Sequence, residues 1–212
     1  FKALLFLGAG SVIHGLGGEQ DLRKMGGLAP RMVATTITMT VGAAGLAGVP
    51  GLAGFFSKDE ILAAAFGARQ RLMWALLLLG AFLTAFYTFR LLFLAFFGAP
   101  RMSKEVAHHV HESPRVMTLP LGVLAVLTVV AGWWLGVPSD HGTRLEGFLA
   151  PVFPVHEGAD GGGVAYMLLV LSVVVVTAGI VLAWLLYMSS PVRPEAIGRP
   201  RTVVHRLLLN AY

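Results

Sequence analysis

The sequence predicts an all-α polytopic membrane protein with about five transmembrane helices. Its apolar residues come in blocks of about 20, the length that spans the roughly 30 Å hydrocarbon core of a bilayer, and short polar loops separate the blocks. The chain is 56% hydrophobic and 13% charged, with a mean hydropathy of +0.76, which is typical of this class. It opens inside an apolar run without an initiator methionine. We therefore expect a fragment whose first helix is truncated.

The first two apolar stretches differ in length. Residues 1–16 form the first predicted span, which two glycines end, and a polar loop follows over residues 17–31. The next stretch, residues 32–68, would extend over about 50 Å as one straight helix, well beyond the hydrocarbon core. We expect a break where helix-breaking residues cluster in its middle, at Gly48, Pro50, Gly51 and Gly54. Two topologies are open: one discontinuous span or two separate crossings.

The positions of the basic residues favour the discontinuous span. Under that topology ten loop Arg and Lys residues lie on one side of the membrane, and three lie on the other. With two crossings the counts become six and seven, which carries no orientation signal. The side with ten is then cytoplasmic, and the net charge of +5 reflects orientation rather than nucleic-acid binding. The ten are Arg23, Lys24, Arg31, Arg101, Lys104, Arg115, Arg193, Arg199, Arg201 and Arg206; the three are Arg69, Arg71 and Arg144.

Three uninterrupted spans are predicted after the break, at residues 72–97, 116–136 and 164–188. The last carries no charge, so we expect it to pack against lipid or neighbouring helices. Residues 137–162 form an outer loop, and residues 189–212 form a basic cytoplasmic tail that leads toward another element.

The chain has no cysteine, which excludes disulfides, iron–sulfur ligation and thiolate zinc sites. It therefore carries no electrons. Three histidines, His108, His109 and His111, lie in the cytoplasmic loop 98–115, but no neighbouring ligand pattern supports a metal site. We expect no cofactor and no metal in this chain.

Lys58 is the candidate functional group of the break region. A charged side chain at bilayer depth costs roughly 2.5 to 3.5 kcal/mol, so an ionisable residue there is a functional candidate. Poor solvation disfavours the charged lysine, and a nearby carboxylate from Asp59 or Glu60 favours it. A lysine whose partner can move away is thus a proton switch. The alternative is a helix-end anchor that reaches the outer surface.

Two further predictions concern the neighbours of this lysine. Ser57 and Glu60 have the spacing of a capping box, so the second half-helix is expected to begin at Ser57, or else at Gly54. Lys2, early in the first apolar run, is predicted to be a second buried lysine and a second proton-transfer residue.

Four segments resemble the largest antiporter-like membrane subunit of respiratory complex I in order and spacing. They are FKALLFLGAGSVIH (1–14), EQDLRKMGG (19–27), AGFFSKDEIL (53–62) and AFYTFR (85–90). The resemblance implies that residues 1–98 are the C-terminal part of an antiporter-like proton-translocating helix bundle and that residues 99–188 add further transmembrane helices. After residue 188 it implies a cytoplasmic tail toward a lateral helix.

The resemblance also implies roles and partners. Lys58 matches the lysine of the second broken helix, on the proton route toward the outside, and Lys2 matches a basic residue of the central hydrophilic axis. NADH, FMN, iron–sulfur clusters and quinone are expected in partner subunits, and a neighbouring antiporter-like subunit is the expected contact. The expected location is a bacterial inner membrane, or alternatively the mitochondrial inner membrane.

Two other functions stay open. The large subunit of multi-subunit sodium/proton antiporters shares the broken-helix lysine, although the FFSKDEIL run at 55–62 favours complex I. A membrane module that only packs neighbouring subunits and conducts nothing is the second alternative.

Overall fold

The computed structural model describes residues 1–136, 143–149, 151–152 and 163–189, and these residues form helices and connecting loops without a strand. Three helical segments are long and apolar enough to cross a membrane: Arg71–Phe97, Arg115–Gly136 and Tyr166–Ser189. The predicted all-α membrane fold is confirmed. The helices are α1 (Lys2–Gly15), α2 (Val33–Ala47), α3 (Ala53–Gly67), α4 (Arg71–Leu92), α5 (Lys104–His109), α6 (Arg115–Gly136), α7 (Arg144–Leu149) and α8 (Gly163–Trp184), with a 3-10 turn at Leu22–Lys24 and π-helical ends at Phe93–Phe97 and Leu185–Ser189.

Helices α1 and α2 pack antiparallel through small residues. Leu4 lies against Gly42, and Met39 fills the space that a side chain at Gly8 would need. Nearer the loop, the hydroxyls of Ser11 and Thr35 are hydrogen bonded at 2.7 Å. Glycines at the contacts let the two helix backbones approach closely, because they lack a side chain.

Helices α2 and α3 contact α6 one after the other. Small residues of α6 contact the end of α2 and, further along α6, the start of α3. The contacts therefore follow chain order both on α6 and on the broken segment. The broken segment therefore continues across the bundle instead of turning back, as expected for one discontinuous span. In chain order the contacting pairs are Gly45 with Thr128, Ala53 with Gly132 and Phe56 with Gly136.

Helix α8 runs beside α4 in the same direction. Gly179 lies against the backbone of Phe82, and further along Tyr187 meets the guanidinium of Arg90 at 5.5 Å from its ring centre. Ala85 of α4 and Val176 of α8 are both buried in this contact. Packing of α8 against lipid or neighbouring helices was predicted from its lack of charge, and α4 is one such neighbour.

The loops 17–31 and 98–115 meet at one end of the bundle. Arg101 donates hydrogen bonds to the carbonyl oxygens of Met25 at 2.9 Å and Leu94 at 2.8 Å. The carboxylate of Glu112 accepts the backbone N–H of Ala34 at 2.7 Å, at the N-terminus of α2. The two loops thus share a face, as the discontinuous topology requires. Most of the predicted loop 137–162 and residues 190–212 of the tail lie outside the described residues.

Candidate functional site

The break between α2 and α3 is made of two consecutive turns that the sequence encodes. Gly48 ends α2 in the left-handed conformation, at φ 78° and ψ 44°. The N–H of Val49 donates to the carbonyl of Ala44 at 3.0 Å, which completes a Schellman motif. Pro50 and Gly51 then occupy the central positions of a β-turn, and Gly51 has the φ of 88° that a type II turn requires.

The two half-helices pass each other closely at this break. The Cα of Gly54, in the first turn of α3, faces the carbonyl group of Gly45, in the last turn of α2, with no room for a side chain. Gly54 is therefore a packing glycine inside α3 and not part of the irregular backbone. Trp133 of α6 holds the turn from the side, because its indole Nε1–H donates to the Gly51 carbonyl at 2.8 Å.

Lys58 reaches back from α3 into the break. Helical side chains lean toward the N-terminus of their helix, and Lys58 lies one and a half turns after the start of α3. Its ammonium Nζ lies 3.5 Å from the carbonyl oxygen of Gly48, a long hydrogen bond, and the residue is half-buried. A Cβ at Gly48 would lie 2.8 Å from this nitrogen. Glycine at position 48 thus permits the left-handed turn and leaves room for the amine.

Of the two predicted starts of α3, Ser57 is wrong, and Gly54 is one residue from the observed start. Helix α3 begins at Ala53, Leu52 is its N-cap residue, and no side chain caps it. The reason is that the β-turn ends at Leu52, so helical geometry is available immediately afterwards. Ser57 is an exposed residue inside the helix whose hydroxyl points to the carbonyl of Gly54 at 3.4 Å. Glu60 is also exposed and has no capping role.

Asp59 reaches α8 with one of its carboxylate oxygens. Its Oδ1 accepts a hydrogen bond from the hydroxyl of Ser172 at 2.7 Å. Its Oδ2 is buried and has no hydrogen-bond partner among the described residues. No ion pair joins Asp59 to Lys58 within that part of the chain. The adjacent carboxylate therefore has one oxygen held by α8 and one oxygen without a hydrogen bond to any described residue.

Lys2 is not buried as predicted. It lies at the start of α1 and is exposed on the described chain. The reason is its position on the helix: Leu4 is fully buried, and Lys2, two residues earlier, is rotated by about 200° from it. The neighbouring Phe1, and not Lys2, packs against Gly54 at the break.

Ser172 and Trp133 are contacts of the site that the sequence interpretation missed. Ser172 and Thr177 are the two hydroxyl side chains in the middle of an otherwise apolar helix, and nothing in the sequence marked Trp133 as a contact of the break. A polar side chain in the middle of a span was the available signal for Ser172, since such groups usually find a partner. Among the described residues, no three His, Asp or Glu side chains gather where a metal could bind.

Comparisons with known proteins agree with the four sequence segments. Residues 1–84, which include the break and Lys58, match the family described as "NADH:quinone oxidoreductase/Mrp antiporter, TM". The chain is 42% identical over 195 residues to "NADH-quinone oxidoreductase subunit L" of Mycobacterium tuberculosis, covering 91% of this chain. The resemblance to the antiporter-like subunit of complex I is confirmed.

Further relatives extend the similarity across lineages. The "NAD(P)H-quinone oxidoreductase chain 5" of Picosynechococcus is 38% identical over an alignment of 241 residues that covers 100% of this chain. The "NADH-ubiquinone oxidoreductase chain 5" of Dictyostelium discoideum is 46% identical over 136 residues, 63% of this chain. The chain spans 30% of the length of the mycobacterial relative and 36% of the cyanobacterial one. It is thus similar to about a third of each of these two subunits.

Proposed function

We propose that this chain is part of a proton-translocating membrane subunit of an NADH:quinone oxidoreductase, and that Lys58 carries the proton at the helix break. The observation that carries the proposal is the position of the Lys58 amine against the Gly48 carbonyl, in a break that lies within the matched segment 1–84. Broken helices mark ion sites in several transporter folds.

The local electrostatics support a proton-carrying lysine. The carbonyl end of α2 has a partial negative charge, and an ammonium group beside it is stabilised. The Gly48 contact is long and Lys58 is only half-buried, so a small movement or a change in hydration alters the balance between the two charge states. Moving one charge against 100 mV takes about 2.3 kcal/mol, and burial of a lysine changes its free energy of protonation by amounts of this size.

The remaining assignments follow from the same proposal. Lys2 is a second transfer residue whose exposed face meets parts of the subunit outside this chain. Asp59, Glu60 and Ser57 support the site from α3. Pro50, Gly48 and Gly51 shape the turns of the break, and Gly54 lets the two half-helices approach closely. NADH, FMN, iron–sulfur clusters and quinone belong to partner subunits, and a neighbouring antiporter-like subunit is the membrane contact.

The proposal includes orientation. The shared face of loops 17–31 and 98–115 is cytoplasmic, because most of the loop Arg and Lys residues lie there. The proton then leaves from the opposite face. The membrane is the bacterial inner membrane, or alternatively the mitochondrial inner membrane, which is supported by relatives from bacteria and from Dictyostelium.

The Lys58→Ala variant of the complete complex tests the proposal. We expect coupled proton pumping to fall by about tenfold or more, equivalent to about 1.4 kcal/mol of lost stabilisation along the path. Quinone-linked turnover should fall with it, whereas NADH oxidation by an artificial acceptor should not. The measurement is acidification of inside-out vesicles, followed with a pH-sensitive dye. Lys24→Ala, which removes an exposed loop lysine, is the control and should pump normally.

Two other outcomes would replace the proposal. The family description also names the Mrp antiporter, so sodium-dependent proton exchange without an NADH-oxidising arm would favour a sodium/proton antiporter subunit. Normal pumping in both Lys58→Ala and Lys58→Gln would instead favour a membrane module that packs neighbouring subunits and conducts nothing.

A further inference from the structure

Helix α8 contributes one polar side chain to the Lys58 region. Ser172 is 1% exposed, and its hydroxyl donates to Oδ1 of Asp59 at 2.7 Å. The residue lies in a helix without charge, in a part of the chain beyond the family match to residues 1–84. A buried hydroxyl in an apolar helix is costly unless it is hydrogen bonded, so this contact fixes both side chains.

The hydrogen bond uses one oxygen of Asp59 and leaves the other without a partner in the described part of the chain. Oδ1 is occupied by Ser172, and Oδ2 is buried without a hydrogen-bond partner among the described residues. A buried carboxylate oxygen without a hydrogen bond is energetically costly, so a proton or a water is needed there. Lys58 is the adjacent residue, and its amine lies at the break on the neighbouring side of α3.

We propose that Ser172 is a positioning residue of the proton path: it holds Asp59 so that Oδ2 receives the proton that leaves Lys58. The inference rests on the proposed function and assigns α8 a part in it. In this step an N–H bond of the Lys58 ammonium breaks, one bridging water accepts that proton and passes on another, and an O–H bond forms at Asp59. Lys58 and Asp59 are then both neutral, and Asp59 regains its charge when it releases the proton outward.

The Ser172→Ala variant in the complete complex tests this step. Losing one hydrogen bond at the acceptor should lower coupled pumping about three- to tenfold. The smaller side chain should leave assembly of the complex and NADH oxidation by an artificial acceptor unchanged. Ser172→Thr keeps the hydroxyl and should keep most of the pumping. Thr177→Ala, which removes an exposed hydroxyl of the same helix, is the matched control and should behave as wild type.

A spectroscopic readout separates positioning from simple packing. Infrared difference spectra of the working complex should contain a carboxyl C=O band that Asp59→Asn removes and that Ser172→Ala shifts in frequency. An unshifted band and normal pumping in Ser172→Ala would overturn the role of Ser172, and so would equal losses in the Ala and Thr variants. If Lys58→Ala also pumps normally, the proposed function itself fails. A defect in Lys58→Ala alone rejects only the inference about α8.

Discussion

At the scale of single residues, Gly48 links the shape of the break to the position of the candidate proton carrier. It adopts a φ of 78°, which residues with a Cβ rarely adopt, and it borders the Lys58 amine. This position therefore requires glycine for two independent reasons: first the left-handed backbone, and second the space that the Lys58 side chain occupies. Gly51 requires glycine only for its left-handed backbone, because the nearest atom to a Cβ there lies 3.8 Å away on Trp133.

The Gly48→Ala substitution should separate Lys58 from its carbonyl contact. The left-handed backbone costs about 1–2 kcal/mol with a Cβ present, and the new carbon would stand 2.8 Å from Nζ. We expect an assembled complex with a lower melting temperature and several-fold weaker pumping, measured by thermal unfolding and vesicle acidification. Gly80→Ala is the control, since nothing lies within 4 Å of a Cβ there and alanine favours the helix. Equal effects at both positions would contradict the argument.

The sequence predicted the feature of this site that depends on residue type, and it did not predict the features that depend on how the helices pack. Lys58 was singled out because a charge in an apolar stretch needs a reason, and the structure does place it at the break. The direction of Asp59 could not be predicted, because it depends on how α8 packs on α3. Lys2 was predicted to be buried from the apolar residues around it, but only one side of α1 packs on α2.

At the scale of secondary-structure elements, the order of residues 48–51 predicts the break better than their composition does. A glycine that ends one helix, then Pro and Gly in turn positions, leaves the next helix free to start at Ala53. The capping-box spacing at Ser57 competed with this signal and was misleading. By contrast, the long spans were predicted closely, 72–97 against Arg71–Phe97, because uninterrupted apolar runs have few other interpretations.

A second element-scale feature is the clamp that Arg101 forms between the two loops of the shared face. Its guanidinium donates to three carbonyls, those of Leu22, Met25 and Leu94, at 2.8 to 3.3 Å. Burial lowers the pKa of Arg101, yet a guanidinium stays protonated in proteins, so the clamp keeps its donors over the physiological pH range. The clamp fixes the 17–31 loop to the end of α4.

Arg101→Lys should loosen this loop without removing its charge. A lysine cannot donate to three separate carbonyls in the guanidinium geometry, so about 1–3 kcal/mol of local stability should be lost. We expect faster cleavage after Glu19 by a glutamate-specific protease applied to the loop face, measured as the rate of appearance of the fragment. Arg23→Lys changes an exposed ion pair with Asp21 and should leave the rate nearly unchanged. Unaltered cleavage in Arg101→Lys would contradict the clamp.

At the scale of the whole molecule, the described helices form one bundle around the broken segment. α1 and α6 flank α2, α6 continues onto α3, and α8 reaches α3 through Asp59 while packing along α4. The break is therefore contacted by helices from both halves of the chain, although the family match covers only residues 1–84. Helices α6 and α8 therefore support the site directly and do not form a separate unit.

The topology of the bundle makes a prediction that labelling can check. One discontinuous span puts loops 17–31 and 98–115 on one side and the α3–α4 connection on the other, whereas two crossings would pair the first loop with that connection. Because the chain has no cysteine, the variants Gln20→Cys, His109→Cys and Gln70→Cys each introduce one thiol into an exposed position of this chain. We expect an impermeant maleimide to label the first two only in inside-out vesicles and Gln70→Cys only in right-side-out vesicles, as detected by the mass of the chain's peptides. Labelling of Gln20→Cys and Gln70→Cys from the same side would instead show two crossings, and it would move Lys58 from the interior break toward the membrane surface.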